Sequence, residues 1–344
     1  MRTTIDTRTL NTVVATVDYD GALLERLRDG FAPAEFLQID GGDKFAFYEA
    51  LAGADALVLK GDITPDVLVH GRRLQWIHCD HAGLEKSATQ EIFDRGILVT
   101  GSGGRSGPAL AQHAFYFALA LTYDAAALLD MQAERRWRGI AGYDDRMALW
   151  GRTLGVVGYG HTGREMAKLG RAFGMRVLVF RRDGAAEDPS VDQFYSDRSS
   201  DSFDDFLAQS DVVMLATKLT DRTHHMISAA ELRTMKTSSY LINLARGGVV
   251  DEAALVEALR AGEIAGAGLD VLEQEPPADD APIWNAPNVL ITSHQTPKLP
   301  DKLDRAITVI TENARRFRTG EPLINLLSEE DLYTKGVVSA RIRS

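Results

Sequence analysis

The sequence of 344 residues contains a single cysteine, Cys79, and no long apolar run. One cysteine excludes an internal disulfide framework and favours a reducing compartment. The most apolar stretch, residues 114–121, is far shorter than the roughly 20 residues that span a bilayer, and the N-terminal segment has no apolar core of the signal-peptide type. We therefore expect a cytoplasmic protein that does not interact with membranes.

Positive charge is also scarce, because 38 Lys and Arg stand against 49 Asp and Glu, giving a formal net charge of −11. This balance gives no general attraction to nucleic acid, so an anionic substrate must be bound by locally placed Arg or backbone N–H groups. The sequence also lacks H-x-x-x-H and paired-cysteine spacings, and the adjacent His224 and His225 point in different directions. We predict neither a nucleic-acid partner nor a metal site.

The composition, with 45% hydrophobic and 25% charged residues, is typical of a globular protein, and the length predicts two domains. Residues 11–100 contain short apolar runs separated by helical patterns, which predict a small α/β unit with a parallel sheet. The predicted strands are 13–17, 35–39, 56–59, 74–77 and 97–100. A glycine-rich segment at 101–108 then looks like a loop at a domain boundary.

A long helical stretch is predicted from Ala109 to about Arg135. It is so rich in Ala, Leu, Phe and Tyr that it must be buried nearly all round. A subunit interface explains this composition, and so does a helix buried inside one chain.

The segment 153–183 combines three local signals of one supersecondary unit. An apolar strand at 154–157 stops at the sequence GYGHTG, and an amphipathic helix and a second apolar strand at 177–180 follow. The glycines of GYGHTG permit the tight turn, the approach of a pyrophosphate and close packing of the helix. The helix offers its N-terminal N–H groups and positive dipole end to the phosphates. Dinucleotide binding is the prediction, with a structural glycine turn as the alternative.

Further strands are predicted at 211–216, 239–243, 265–270 and 288–292, with helical stretches such as 202–209 and 252–261 between them. Six strands with alternating helices fit a doubly wound sheet. A closing helix is predicted at 301–318.

Four motifs resemble those of one family, in its order and at its spacing. They are GYGHTG at 158–163, NLARGGVVDE at 243–252, GLDVLEQEP at 268–276 and NVLITSH at 288–294, and AGLEK at 82–86 is a weaker match. The family is that of the D-isomer-specific 2-hydroxyacid dehydrogenases, which includes glyoxylate/hydroxypyruvate reductases and phosphoglycerate dehydrogenases. The resemblance implies an α/β fold of two Rossmann-like domains. The cofactor domain, 108–299, would contain the doubly wound parallel sheet, and a smaller flavodoxin-like substrate domain would comprise 1–107 and 300–344.

Arg246, Glu275 and His294 each lie just beyond a predicted strand end, where ligands bind in open α/β sheets. Reduction of a 2-oxo acid needs a cation for the carboxylate and carbonyl oxygen, a proton donor and a hydride donor. Arg246 supplies the fork-shaped cation, and His294 is the acid because imidazole titrates near neutral pH. Glu275 would hydrogen-bond the imidazole, favour its protonated form and fix its orientation. The resemblance assigns the same catalytic roles, although each residue taken alone could be an ordinary turn or surface group.

Other contacts follow from the resemblance. Asp270 matches the residue that contacts the nicotinamide carboxamide, although it could equally cap the next turn. Ala82 and Gly83 match the loop whose N–H groups bind the substrate carboxylate, with an ordinary turn as the alternative. For the nearby His78 and His81, ligand contact and simple packing are both open. The predicted cofactor contacts are Gly158, Tyr159, Gly160, His161, Thr162, Gly163, Arg181, Arg182, Thr217, Thr223, Leu244, Ala245 and Asp270.

Two of the departures from the family pattern concern the substrate. The segment Gln295-Thr296-Pro297-Lys298 follows the candidate acid, where most members carry small residues such as Ile-Gly-Gly. This difference changes the wall beside the nicotinamide and leaves the substrate open. Asp80 is unexpected beside a loop for an anionic substrate, and it either points away or contacts a hydroxyl group.

The end of the second strand of the nucleotide-binding unit predicts the cofactor. NAD-binding members carry an Asp there, which accepts hydrogen bonds from the ribose hydroxyls. Here the position is Arg181, with Arg182 beside it. Two guanidinium groups have the geometry that binds a 2′-phosphate, and we favour this interpretation over the alternative of two solvated arginines at a strand end. We therefore expect NADP, as NADPH, to be preferred over NAD.

The sequence as a whole predicts an NADPH-dependent reductase of small 2-oxo acids such as glyoxylate or hydroxypyruvate, working as a homodimer. The alternative is a dinucleotide-sensing, corepressor-like binding protein of the same fold, which keeps the site residues but acts through partners. A formate dehydrogenase is disfavoured because Glu275 stands where that branch is expected to carry Gln.

Overall fold

The computed structural model describes residues 9–140, 142–182, 187–198 and 202–335. The described residues form two compact units, one within residues 1–105 and 299–344 and the other within residues 106–298. Each unit has its own parallel sheet with helices on both faces. The α/β class and the pair of Rossmann-like domains predicted from the sequence are confirmed.

The first unit is built on a five-stranded sheet in the order β2-β1-β3-β4-β5, which is the flavodoxin-like order. Its apolar side chains form one cluster on each face, and the C-terminal helix α11 returns to cover one of them beside α1. The elements are β1 (Thr12–Ala15), α1 (Gly21–Phe31), β2 (Glu35–Gln38), α2 (Lys44–Leu51), β3 (Ala56–Leu59), α3 (Pro65–His70), β4 (Trp76–Cys79), α4 (Gln90–Asp94), β5 (Leu98–Gly101) and α11 (Lys302–Thr319).

The second unit is built on a seven-stranded sheet in the order β12-β11-β10-β9-β6-β7-β8, so the strand order reverses between β6 and β9. Ligands of such sheets bind outside the carboxyl ends of the strands at this reversal. The elements are α5 (Gly107–Thr122), α6 (Ala125–Ala133), β6 (Thr153–Val157), α7 (His161–Ala172), β7 (Arg176–Arg181), β8 (Gln193–Ser196), α8 (Phe203–Gln209), β9 (Val212–Leu215), α9 (Ala229–Thr234), β10 (Tyr240–Asn243), α10 (Glu252–Ala261), β11 (Gly266–Leu269) and β12 (Val289–Ile291).

The long helix predicted over 109–135 is wrong, because the chain forms two helices there with a bend of 62° between them. The break is at Asp124, which has a left-handed backbone with φ 51° and whose carboxylate accepts from the Ala127 N–H at the start of α6. α5 is buried over most of its length, whereas Met131 is the one buried residue of α6. Composition alone did not reveal the turn that Asp124 makes.

The sheet of the second unit has seven strands, not the predicted six. The additional strand, β8, pairs with β7 at the edge of the sheet. Its sequence, Gln-Phe-Tyr-Ser, is polar at both ends, so it lacks the apolar run that revealed the other strands. The predicted strand at 74–77 also begins two residues early, since β4 starts at Trp76.

Within the described residues, no single helix is both long enough and apolar enough to span a membrane, and the one pair that meets both conditions together, α5 with α6, is bent. The same residues contain no group of three or more His, Cys, Asp or Glu side chains placed to hold a metal ion.

Candidate active site

Three adjacent strands of the second unit carry the three candidate catalytic residues. β10, β11 and β12 are parallel neighbours, and Arg246, Glu275 and His294 each follow the carboxyl end of one of them. The carboxyl ends of parallel strands meet at one edge of a sheet, so the three residues share an edge although they are distant in sequence.

His294 and Glu275 are directly bonded, with 2.7 Å between Nδ1 of the imidazole and Oε2 of the carboxylate. The second carboxylate oxygen, Oε1, accepts a hydrogen bond from the Leu272 N–H at 3.1 Å, which fixes the carboxylate. A carboxylate accepts only, so His294 donates through Nδ1 and leaves Nε2 for a ligand. Both side chains are exposed, as a group that meets a substrate must be.

Arg246 is positioned by the turn that follows β10. The buried Asn243 accepts from the Ala245 N–H and donates to the Arg246 carbonyl, both at 3.0 Å, so one side chain holds both ends of the turn. The Arg246 Nη1 donates to the Ala245 carbonyl at 2.7 Å, which orients the guanidinium. Sequence reasoning missed Asn243 as a positioning residue, although a polar side chain at the end of a buried strand was a signal for it.

The turn after β10 packs closely against the segment that carries Glu275. A Cβ atom added at Gly247 would lie 1.9 Å from the Leu272 carbonyl oxygen and 2.4 Å from the Glu273 nitrogen. Only glycine therefore allows this approach, and it brings the segments of Arg246 and Glu275 together.

Asp270 follows β11 directly and is buried. Its Oδ1 accepts from the Thr292 hydroxyl at 2.6 Å and from the Gln295 N–H at 2.9 Å, and its Oδ2 accepts from the Thr296 hydroxyl at 3.3 Å. Asp270 therefore holds the turn after β12 that carries His294, and not the next turn along the chain, which the sequence offered as the alternative. The contact of Asp270 with the nicotinamide carboxamide remains a prediction. Oδ2 retains acceptor capacity for such a contact.

His113 of α5 completes this cluster. Its Nδ1 lies 2.9 Å from the Thr296 hydroxyl and its Nε2 lies 3.2 Å from the Thr292 hydroxyl. Burial lowers the pKa of His113, and the nearby Asp270 opposes that effect. The unusual segment after His294 is thus bound through Thr296 to two buried side chains.

The glycine loop after β6 has the form that a dinucleotide requires. Gly158 has φ 96°, and a Cβ there would lie 2.7 Å from the Ala216 carbonyl oxygen, so no other residue fits. At Gly160 an added Cβ would meet nothing within 4 Å, so the backbone is open to a phosphate. α7 begins at His161, and a Cβ at Gly163 would lie 2.1 Å from the Gly158 carbonyl oxygen. The residues present therefore fit a pyrophosphate at the start of α7.

Other predicted cofactor residues differ in what their side chains offer. Tyr159 is buried and lies under the Arg164 guanidinium, 4.5 Å from the ring centroid, and burial raises its pKa. Leu244 and Ala245 are also buried, so these three offer chiefly backbone groups. Thr223 donates to the Lys218 carbonyl at 2.6 Å and so closes its own turn. His161 and Thr162 are in the first turn of α7, and Thr217 follows β9 by two residues.

Arg181 is the last residue of β7 and is half-buried, and Arg182 is exposed. The Phe180 carbonyl before them accepts from the Gly158 N–H at 2.8 Å, so this strand end lies beside the glycine loop. The structure thus places both arginines where the sequence predicted them.

Ala82 and Gly83 belong to the first unit, in the loop after β4. Within the described parts of the chain, no acceptor is found for the backbone N–H groups of Ala82, Gly83 and Leu84. These free donors suit a carboxylate. Nearby, His78 is fully buried and bonded at both ring nitrogens to Thr100 and Ser102, which favours packing for it. His81 Nε2 is buried and lies 3.5 Å from Asp62, without a hydrogen bond.

Comparison with known proteins gives one consistent result. The family model for the D-isomer specific 2-hydroxyacid dehydrogenase NAD binding domain matches residues 115–296. A glyoxylate reductase of Korarchaeum cryptofilum is 33% identical over 298 residues, which are 83% of this chain and 86% of that protein. A hydroxypyruvate reductase of Thermotoga maritima is 31% identical over 258 residues, 73% of this chain and 81% of that protein.

Solved structures agree. A D-isomer specific 2-hydroxyacid dehydrogenase family protein from Aeromonas salmonicida superposes with a TM-score of 0.77 at 27% identity, covering 93% of this chain and 100% of that one. A D-isomer specific 2-hydroxyacid dehydrogenase from Xanthobacter autotrophicus, in complex with NADPH and MES, has a TM-score of 0.77 at 25% identity, covering 93% and 99%. The chain therefore belongs to the D-isomer specific 2-hydroxyacid dehydrogenase family and is an NAD(P)-dependent oxidoreductase.

Proposed function

We propose that this protein reduces a small 2-oxo acid to the D-2-hydroxy acid with NADPH, glyoxylate and hydroxypyruvate being the leading substrates. The observation that carries the proposal is the bonded pair of His294 and Glu275 at the sheet edge that also holds Arg246. Relatives named glyoxylate reductase and hydroxypyruvate reductase support the same class of substrate.

His294 acts as the acid. With Nδ1–H donated to Glu275, the protonated imidazole holds its second proton on Nε2 and delivers it to the substrate carbonyl oxygen. Glu275 stabilises the protonated ring and fixes its orientation, and the Leu272 N–H fixes Glu275 in turn. In the oxidation direction the same nitrogen takes the proton back.

Arg246 binds the substrate through its guanidinium, which polarises the carbonyl and neutralises the carboxylate. The Ala245 carbonyl and Asn243 hold it in place, so little side-chain freedom is lost on binding. The N–H groups of Ala82 and Gly83 are donors for the carboxylate.

The glycine loop and the first turn of α7 bind the pyrophosphate of the dinucleotide. The bound NADPH supplies the hydride, and the protein contributes binding, orientation and electrostatic stabilisation.

A turnover assay separates this function from that of a dinucleotide-sensing binding protein. The full chain is mixed with NADPH and a panel of 2-oxo acids, and absorbance of the reduced cofactor is followed. Loss of NADPH that depends on one of these acids supports the enzyme. Binding of NADPH without turnover of any acid would favour the corepressor-like alternative.

The preference for NADPH rests on Arg181 and Arg182. A charge-assisted hydrogen bond contributes about 1.5–3 kcal/mol, so contact with a 2′-phosphate should favour NADPH over NADH by at least about tenfold in kcat/KM. Arg181→Asp should erase or reverse this preference, because the carboxylate repels the phosphate and accepts from the ribose hydroxyls. The ratio of kcat/KM for the two cofactors measures it.

Arg176→Asp is the matched control. Arg176 begins the same strand, about 17 Å from Arg181, and bonds to Gln193 and Gln209. This substitution makes the same charge change and should leave the ratio unaltered. Equal use of both cofactors by the unsubstituted protein, or an unaltered ratio in Arg181→Asp, would overturn the NADPH assignment.

A homodimer is proposed from the surface around α5 and α6. Large apolar side chains are exposed on these helices and just after them, including Tyr116, Leu129 and Trp137, the last at 90% of its full area. We propose that these side chains form a patch that binds a second copy of the chain, since contiguous exposed apolar surface marks interaction sites. Sedimentation equilibrium should give twice the mass of the chain, and a monomer at micromolar concentration would contradict this.

A further inference from the structure

The carboxylate of Asp80, at the end of β4, is bound by three donors from the first unit. Oδ1 accepts from the Arg105 guanidinium at 2.6 Å and from the Ser102 hydroxyl at 2.8 Å, and Oδ2 accepts from the Tyr19 hydroxyl at 2.7 Å. The side chains of Asp80 and Arg105 are 11% and 14% exposed. The negative charge of the Asp80 carboxylate is therefore neutralised by the Arg105 guanidinium.

A directed chain of hydrogen bonds holds this pair from behind. The Trp76 indole N–H donates to the Thr100 hydroxyl at 2.9 Å, and that hydroxyl lies 2.9 Å from His78 Nδ1. Because the Asp80 carboxylate only accepts, Ser102 donates to it and itself accepts from His78 Nε2–H at 3.0 Å. The neutral His78 ring then accepts from the Thr100 hydroxyl through Nδ1. Each member of the chain therefore has a hydrogen-bond partner, and the bond from the Ser102 hydroxyl fixes the Asp80 carboxylate.

Asp80 begins the loop after β4, which offers the free N–H groups of Ala82 and Gly83 for an anion. The Ser102 N–H donates to the His81 carbonyl at 3.0 Å, and a Cβ at Gly101 would lie 2.8 Å from that same oxygen. The loop after β5, which carries Arg105, therefore lies directly against the loop that carries Ala82 and Gly83. A carboxylate bound by these N–H groups would have Asp80, two residues earlier, and Arg105 as neighbours.

Donor and acceptor capacity remains on this pair. Among the described residues, Asp80 is the one acceptor found for the Arg105 guanidinium, which has five N–H donors in all. Oδ2 of Asp80 receives the single bond from Tyr19 and retains a lone pair. The pair thus offers a donor and an acceptor side by side with no net charge.

We propose that Asp80 and Arg105 select the substituent on carbon 3 of the 2-oxo acid, and that they favour a neutral hydroxyl group over a methyl group or an anion. The inference rests on the proposed reduction of a 2-oxo acid and narrows its substrate to the hydroxymethyl class, of which hydroxypyruvate is the simplest.

The physical reason is complementarity to one group that both donates and accepts. A hydroxyl group bonds to Oδ2 as a donor and to the guanidinium as an acceptor. A methyl group makes neither bond and leaves the pair unsatisfied, whereas a phosphate is attracted by Arg105 but repelled by Asp80. Hydrogen bonds to charged groups predict a preference of at least about tenfold in kcat/KM for hydroxypyruvate over pyruvate.

The test uses the full-length protein, NADPH and three probes: hydroxypyruvate, pyruvate and hydroxypyruvate 3-phosphate. Asp80→Asn uncovers the positive charge of Arg105, so the ratio of kcat/KM for hydroxypyruvate over its 3-phosphate should fall about tenfold. Arg105→Gln leaves the carboxylate uncompensated, so the same ratio should rise about tenfold. Opposite changes follow only if the two charges face the substituent. A ratio of two substrates is also independent of the folded fraction, so partial misfolding of either variant does not affect it.

Asp18→Asn is the matched control. Asp18 follows β1 at the same carboxyl edge of the sheet at which Asp80 follows β4, but it pairs with the exposed Lys60. This variant should leave the ratio unaltered. Changes in the same direction in Asp80→Asn and Arg105→Gln, or no change in either, would overturn the inference while reduction itself stands. No turnover of any 2-oxo acid by the unsubstituted protein would remove the proposed function, and this inference with it.

Discussion

His294 has a left-handed backbone with φ 52°, which is uncommon for a residue other than glycine. Its N–H donates to the Asp270 carbonyl at 2.8 Å, and the Asp270 carboxylate accepts from the next N–H, that of Gln295. Such conformations persist only when their surroundings determine them, and they cluster at functional sites. The conformation therefore agrees with a role for His294 that depends on where its ring points.

Glu275→Gln tests the coupling of the candidate acid to its partner. The amide keeps the shape but removes the negative charge that stabilises the protonated imidazole, so the falling limb of the pH profile for reduction should move to lower pH. The measurement is kcat/KM for the 2-oxo acid between pH 5 and 9. Glu273→Gln is the control, since Glu273 lies in the same loop but bonds to His225. A limb in the same place for Glu275→Gln and the unsubstituted protein would show that the pair is not coupled.

A second residue-scale prediction concerns stability in acid. Burial lowers the pKa of His78 from its ordinary 6.5 to about 4, with Asp80 opposing the change and Arg105 adding to it. Between those values the unfolded chain binds a proton that the folded chain does not, so stability falls as pH falls. From pH 7 to pH 5 the loss from His78 should be about 2 kcal/mol in the free energy of unfolding.

His78→Asn, which cannot titrate, should show a loss smaller by that amount when urea unfolding is measured at the two pH values. Because His113 also has a lowered pKa, the variant should keep part of the acid sensitivity. An equal loss in both proteins would contradict the burial of a neutral His78.

At the scale of elements, the turn after β10 packs closely against the turn after β11 at Gly247. Gly247→Ala would place a methyl group 1.9 Å from the Leu272 carbonyl oxygen, so one of the two turns must move. Overpacking of this kind costs about 1–3 kcal/mol in the free energy of unfolding, and the movement should also lower kcat/KM because Arg246 and Glu275 lie on these turns.

Gly53→Ala provides the comparison, since an added Cβ there meets nothing within 4 Å. Chemical denaturation and kcat/KM measure both effects. Gly247→Ala with the stability and activity of the unsubstituted protein would show that the two turns are not in contact.

Elements whose signal is local were predictable from the sequence. The glycine loop, α7 and the apolar strands β6 and β9 follow from short-range pattern, and α10 has the predicted bounds. The edge strand β8 was missed because its pairing with β7, and not an apolar run, defines it. The break between α5 and α6 was missed because one left-handed residue, Asp124, causes it.

The candidate site also divides into residues with a local sequence signal and contacts without one. Arg246, Glu275 and His294 were predictable because each lies in a motif at a strand end. Contacts that join distant segments were not predictable: His113 and Thr296 are 183 residues apart, and Tyr19 and Asp80, in the first unit, are 61 apart. The partners of Asp80 were open in the sequence, and the structure identifies them as Tyr19, Ser102 and Arg105.

At the scale of the whole molecule, each unit places its polar chemistry at the carboxyl edge of a parallel sheet. In the second unit this edge holds Arg246, the pair of His294 and Glu275, and the glycine loop. In the first it holds the loop of Ala82 and the fixed pair of Asp80 and Arg105. A 2-oxo acid reductase needs an acid, a cation and a dinucleotide site, and the edge of the second unit contains a candidate for each. It also needs a carboxylate site, for which the edge of the first unit contains a candidate.

The most direct test of this account is the rate of NADPH oxidation by hydroxypyruvate in His294→Gln, with NADPH affinity measured alongside by fluorescence titration. Loss of the acid should lower kcat by about two to four orders of magnitude and leave the Kd for NADPH within about twofold. His225→Gln is the control, because His225 pairs with Glu273 and not with Glu275. This variant should keep the kcat and the Kd for NADPH of the unsubstituted protein. Near-normal turnover by His294→Gln would contradict the account, because the proton would then come from another group.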